Sequence, residues 1–265
     1  MLSEILTFLF FLLIGLEIRE GLDKPRQAIL PTLCALGGML VPAIIFRTLV
    51  TGSSAWAVAM PTDVALAIGA LSLLGKRVNP AVRLFLLTLA VADDFFSLVI
   101  IGIFFRHDLH LASAVYTLGA AAIGFALPKR AVIIKFLSPI ATFLIIPIYI
   151  FINLLTKLDF SVSTEKIAVA VVVARVVGKV IGISLVALIA TKFTRLQLPQ
   201  SLDLKEIVGV GLLAGMGLTV SIVIAEITLQ TNAELAQVRM GLFFAALISG
   251  VLGLAWLKRF PASLQ

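Results

Sequence analysis

A chain of 265 residues that is 61% hydrophobic and only 13% charged, with a mean hydropathy of +1.16, has too little polar surface for a water-soluble domain, where about half the residues are apolar and about a quarter charged. Net charge is +7, but the basic residues stand between hydrophobic runs rather than on one solvated face, which argues against a nucleic-acid-binding protein. The apolar runs are about 17 to 25 residues long, the reach of a helix across a hydrocarbon core of roughly 30 Å, without the alternation of a barrel; the fold class is all-α, polytopic and membrane-embedded.

Nine spans are predicted, near 3–19, 28–49, 55–75, 82–105, 110–127, 132–155, 166–191, 205–229 and 236–257. The first, LTFLFFLLIGL, has no basic stretch before it and no small-residue cleavage site after it, so it is expected to remain as a helix. The second holds Cys34, the single cysteine, which reads as a small packing residue rather than half of a disulfide or part of a metal cluster. Asp63 lies near the middle of the third run and Asp93 and Asp94 near the middle of the fourth. His107 and His110 fall in the following loop and read as solvated. The seventh run carries Arg175 and Lys179, and the eighth carries Glu226 near its outer end. Glycine and proline punctuate GGMLVP, AMPTDVALAIG and GLLAGMGLTVSIV, permitting close helix contact or a helix break; in a Gly-rich span close contact is the commoner outcome. Fourteen connecting lysines and arginines fall on one side and five on the other. That asymmetry predicts an external N-terminus and a cytoplasmic C-terminus.

A charge near the bilayer centre costs about 2.5 to 3.5 kcal/mol on insertion scales, so a span that retains one needs a reason. Asp63, Asp93, Asp94, Arg175 and Lys179 lie at comparable depth, and each is cheaper to bury facing another or a water-filled cavity. The expectation is one shared polar centre, with a static network of ion pairs as the plainer alternative. Adjacent aspartates on a helix point about 100° apart, so Asp93 and Asp94 should have different partners. Crowded carboxylates titrate as a coupled set, in which protons and metal ions compete. Their hard oxygens suit alkali or alkaline-earth cations better than soft metals. Arg175 and Lys179, four apart, share a helix face. Lys179 is the better candidate for the centre; Arg175 is either a second partner or a cavity residue.

These residues together resemble the NhaA-type sodium/proton antiporter family. The matching strings, in the family's order, are FFLLIGLEIREGL, GGMLVPA, PTDVALAIGALSLLGKRV, LFLLTLAVADDFFSLVIIGIFF, VVGKVIGISL and GVGLLAGMGLTVSIVIA. The resemblance implies one transmembrane domain over 1–265 with two inverted three-helix units, about 28–105 and 166–257, each holding a broken helix that crosses the other at mid-membrane. It implies that Thr62 and Asp63 sit at one break and Gly215, Gly217 and Thr219 at the other. It also implies that Asp93 and Asp94 are the ion-binding aspartates, Asp94 the primary Na+ ligand and proton carrier and Asp93 the one that pairs with Lys179, and that Glu17 lines a cytoplasmic funnel linked to pH response. On this resemblance the chain is expected to be short for the family, without the first helix and about two central ones, and Val180 stands where the family usually has proline after Gly-Lys.

The function so implied is exchange of Na+ or Li+ for H+ across a bacterial inner membrane, serving pH and sodium homeostasis. The ions and the bilayer are its partners, no cofactor is needed, and a homo-oligomer is left open. A truncated, transport-inactive or regulatory protein of the same fold, and a sodium-coupled organic-solute symporter, are the alternatives. An enzyme is not expected, because no nucleophile with a base, no metal set and no phosphate loop is present; GMGLT lacks the strand that a nucleotide loop requires.

Overall fold

The computed structural model describes residues 2–21, 25–75, 78–104, 119–128, 130–194, 196, 198, 202–229 and 231–260. His107, His110 and the first half of the run near 110–127 lie outside them, as do Lys24, Lys76, Arg77, Arg106, Lys129 and Arg195 of the charge asymmetry. Among the described residues every regular element is helical.

Helices α1 (Leu2–Gly21) and α2 (Pro25–Leu49) lead into a short 3-10 helix, Ser54–Ala59. The chain then runs without helix to Asp63, which caps α3 (Val64–Ser72), and continues to α4 (Pro80–Phe104). Next come α5 (Ala120–Ala126), α6 (Arg130–Ile140), a π-helical turn at Ala141–Ile145 and α7 (Ile146–Asn153). Helix α8 (Lys166–Val173) passes through a second π-helical turn, Ala174–Gly178, into α9 (Lys179–Phe193). Helices α10 (Leu204–Ala214) and α11 (Thr219–Thr228) are one run bent by 49° at a four-residue break, and α12 (Asn232–Arg259) follows.

Five of these stretches are long and apolar enough to cross a membrane: 28–49, 54–72, 80–104, 166–193 and 232–259. The bent pair α10/α11 makes a sixth. The other three of the nine expected runs, near 3–19, 110–127 and 132–155, are helical where described but do not reach that measure, so the count of nine is not established. The chain is a multi-pass helical membrane protein. Its helices present a sealed face and an apolar outer face, as on α4, where Phe85, Leu86, Leu89, Ala90, Asp93 and Asp94 are buried while Leu84, Leu87, Phe95, Val99 and Ile103 are exposed.

Without water between helices, association depends on close packing, and small residues permit it. Helices α2 and α9 touch backbone to backbone at Gly37 and Gly182, where a Cβ on either would run into the other's carbonyl. Gly15 of α1 and Gly124 of α5 meet the opposing backbone in the same way. Close contact is therefore the role of GGMLVP. The third and eighth runs are instead broken, and Gly69 in AMPTDVALAIG has nothing within 4 Å of its Cβ direction.

The interior holds two large apolar clusters, and the broken helices divide between them. The 3-10 helix and α11 belong to one cluster with α1, α7 and α8; α3 and α10 belong to the other with α9 and the start of α4. Both breaks thus lie between two apolar masses. Cys34 is fully buried in the second cluster as a free thiol, a packing residue.

Candidate ion site at the helix crossing

A helix break leaves free carbonyls on one half and free N–H groups on the other, the negative and positive ends of the half-helix dipoles. Here the two breaks touch: the Asp63 N–H donates to the Met216 carbonyl at 3.3 Å. The carboxylate of Asp63 serves both N-terminal ends. Its Oδ1 accepts from Leu66 N at 3.3 Å, capping α3, and its Oδ2 accepts from Thr219 N at 3.3 Å and from the Thr219 hydroxyl, capping α11.

Arg175 serves the opposite ends. Fully buried in the π-helical turn, it donates from Nη1 to the Val58 carbonyl (2.6 Å) and Ser221 Oγ (2.8 Å), from Nη2 to the Pro61 carbonyl (2.6 Å), and from Nε to the Gly215 carbonyl (3.1 Å). One guanidinium therefore holds carbonyls released by both breaks. The fork-like donor set makes this possible where an ammonium could not. Three of its four partners are main-chain oxygens made available by the helix breaks, and the fourth is the Ser221 hydroxyl. Gly217 is required for a steric reason: its Cβ would fall on Arg175 Nη2 and the Pro61 carbonyl.

Lys179, one turn on and also fully buried, spends its donors on the Met60 carbonyl, Thr62 Oγ1 (2.9 Å) and Asp93 Oδ2 (2.9 Å). Thr62 in turn donates to the same Asp93 Oδ2 at 2.5 Å. Asp93 is thus held through one oxygen by a buried ion pair and a hydroxyl, while its Oδ1 has no partner.

Asp94, 3% exposed, is differently placed. Its Oδ1 is buried without a hydrogen-bond partner, and the charges that act on it are those of Asp63, Glu17, Asp93 and Lys179. Three of those four are carboxylates. Glu17 is half-buried on α1, which packs against α4. The structure therefore gathers Thr62, Asp63, Asp93, Asp94, Lys179, Gly217 and Thr219 at the crossing, puts Gly215 at its edge, and sets Glu17 within electrostatic reach. Glu226 is apart from it, paired across to Arg239 of α12 at 3.2 Å. Among the described residues no three of His, Cys, Asp and Glu gather as a metal cluster, so a bound cation would have to draw on hydroxyl or main-chain oxygens as well as carboxylates.

Ser221 and Met216 touch the crossing without having been singled out in the sequence.

Fold and centre together define a multi-pass helical membrane protein built around charges buried at a crossing of two broken helices. The chain belongs to the Na+/H+ antiporter 1 family, which matches residues 1–136 and 128–257. Na(+)/H(+) antiporter NhaA 2 of Aliarcobacter butzleri is 30% identical over 321 aligned positions, covering 95% of this chain and 80% of that protein. Na(+)/H(+) antiporter NhaA of Salmonella arizonae is 30% identical with 97% and 82% covered, and NhaA 1 of Klebsiella pneumoniae is 29% identical with 97% and 81% covered. The alignments are longer than this chain, so the relatives hold residues without counterpart here. The two family segments meet at 128–136, at the start of α6, leaving both break-bearing units within matched sequence.

Proposed function

We infer that this chain is a secondary transporter exchanging Na+ or Li+ for H+, with Asp94 as the group that carries either cation in turn. The observation that carries the reading is the contrast between the two neighbouring aspartates. Asp93 is bound by Lys179 and Thr62, whereas Asp94 offers an unpartnered buried oxygen in a field set mainly by other carboxylates. A proton and a sodium ion cannot both occupy such a carboxylate, and that competition couples the two fluxes without further machinery. Asp63 and Arg175 keep the helix ends neutral around it, and Thr62 and Lys179 position Asp93 as the second carboxylate. Glu17 adds negative charge toward the funnel that leads to the site.

The units at about 28–105 and 166–257, each a helix, a broken helix and a helix, act as an inverted pair that moves about the crossing. The chain sits in a bacterial inner membrane with its N-terminus outside and its C-terminus in the cytoplasm, supported by the loop-charge asymmetry. Family membership favours exchange over the inactive and symporter readings, and no cofactor takes part.

In inverted vesicles carrying an imposed pH gradient, added Na+ or Li+ collapses the gradient, and Asp94→Asn abolishes that response while leaving insertion unchanged. An intact, inserted protein that leaves the gradient untouched overturns the reading. Competition gives a second expected result: the apparent KM for Na+ rises as pH is lowered, with maximal exchange restored by more Na+. A KM independent of pH between pH 6 and pH 9 would mean that protons and Na+ do not share the site.

A further inference from the structure

Seven buried side-chain oxygens and nitrogens lack a hydrogen-bond partner among the described residues, and three of them lie within five consecutive residues of α4: Asp93 Oδ1, Asp94 Oδ1 and Ser97 Oγ. A buried hydroxyl in a helix ordinarily donates to the carbonyl one turn back. Thr88 on this same helix does so, reaching the Leu84 carbonyl at 2.9 Å, as Ser72 does on α3 with the Ile68 carbonyl at 2.8 Å. Ser97, only 2% exposed, does not. It stands three and four residues after the aspartates, so its side chain shares their face, and helical side chains lean toward the N-terminus of their helix, here back over the carboxylates.

We propose that Ser97 is a cation ligand of the exchange site, its hydroxyl oxygen completing with Asp93 Oδ1 and Asp94 Oδ1 a set of three protein oxygens on one turn of α4. The assignment rests on the cation-exchange reading and adds to it a residue that sets affinity and selectivity. Asp93 Oδ2 is already committed to Lys179 and Thr62, which leaves Oδ1 for an ion. Two carboxylate oxygens alone under-coordinate a hard cation, which takes about six oxygens including water. A hydroxyl adds an oxygen without adding charge, so it tightens binding without making the site harder to empty toward a proton.

The test measures cation binding and transport separately, on the full chain. In detergent, NaCl or LiCl against a choline chloride background raises the thermal midpoint of the intact protein, and the half-effect concentration reports affinity. Ser97→Ala raises that concentration for Na+ about tenfold, the size expected for losing one charge-assisted polar contact. Ser97→Thr, which keeps the hydroxyl, stays within about threefold on the same scale. In vesicles, Ser97→Ala raises the KM for Na+ by a similar factor with maximal exchange retained, and changes the Na+ to Li+ preference, which a packing defect would leave alone. A Ser97→Ala protein with the unmodified half-effect concentrations for both ions overturns the assignment, as does an unmodified protein that neither ion stabilises. If the unmodified protein is stabilised by Na+ yet exchanges nothing, the ligand assignment stands and the exchange reading fails.

Discussion

Alanine at position 217 is expected to abolish the folded state or lower its stability by about 3 to 5 kcal/mol, the range found when a buried charge loses its partners. The added Cβ claims space held by Arg175 Nη2 and the Pro61 carbonyl, and neither can yield cheaply. Arg175 is fixed by four hydrogen bonds to two different helix breaks, and Pro61 is main chain inside one of them. Gly217 has no left-handed backbone angle, so the cost is steric and electrostatic rather than conformational. Gly69→Ala is the matched control. It sits in the interior of α3 with nothing near its Cβ direction, and alanine there should be neutral or stabilising by up to about 1 kcal/mol through helix propensity. Thermal midpoints of the two variants in detergent would separate the accounts. Equal effects would mean that position 217 tolerates a side chain and that Arg175 does not pin the crossing.

The second large effect concerns the buried pair. Asp93→Asn alone leaves the buried Lys179 ammonium facing only neutral oxygens, and Lys179→Met alone leaves a buried carboxylate with Thr62 as its remaining hydrogen-bond donor. Each single change is expected to cost about 3 to 5 kcal/mol. The double variant should recover more than half of the summed loss, because both charges go together; the Met60 carbonyl, whose donor is Lys179, keeps the recovery from being complete. Stability and exchange should then part company, with a well-folded double variant whose Na+ response is altered. A double variant as unstable as the two singles added together would mean that the residues act independently, and one that exchanges Na+ as the unmodified protein does would reduce the pair to a static strut.

Much of this centre was legible in one sequence because charges inside long apolar runs are costly, and that cost alone brings Asp63, Asp93, Asp94, Arg175 and Lys179 together. Helix geometry also separated the neighbouring aspartates, since with about 100° between them Asp93 meets Lys179 and Asp94 does not share its hydrogen bonds. Periodicity could not say what Arg175 holds. Beside the Ser221 hydroxyl its partners are the carbonyls of Val58, Pro61 and Gly215, and a main-chain group becomes available only where a helix stops. For the same reason the choice between close contact and a break, left open at each Gly-rich string, depended on tertiary structure: Gly37 makes its close contact inside a continuous helix and Gly217 makes its own at a break. The span count was the weakest part, because hydropathy reads length and not continuity. Pro139 and Pro147 flank a π-helical turn in what reads as one run near 132–155.

At Gly37 and Gly182 main chain of α2 faces main chain of α9, each residue's Cβ direction running into the other's carbonyl, with the Val186 side chain beside Gly37. Two rods pressed together at such a point can roll about it but cannot close further, which makes the point a fulcrum. Gly182 lies three residues beyond Lys179, and a Cβ on Gly38 would stand 3.7 Å from the Lys179 side chain. Displacement in any rocking of these helices is therefore smallest beside the charges and grows toward the ends of the rods. The lever arms can sweep at the membrane surfaces while the ion's ligands stay nearly still.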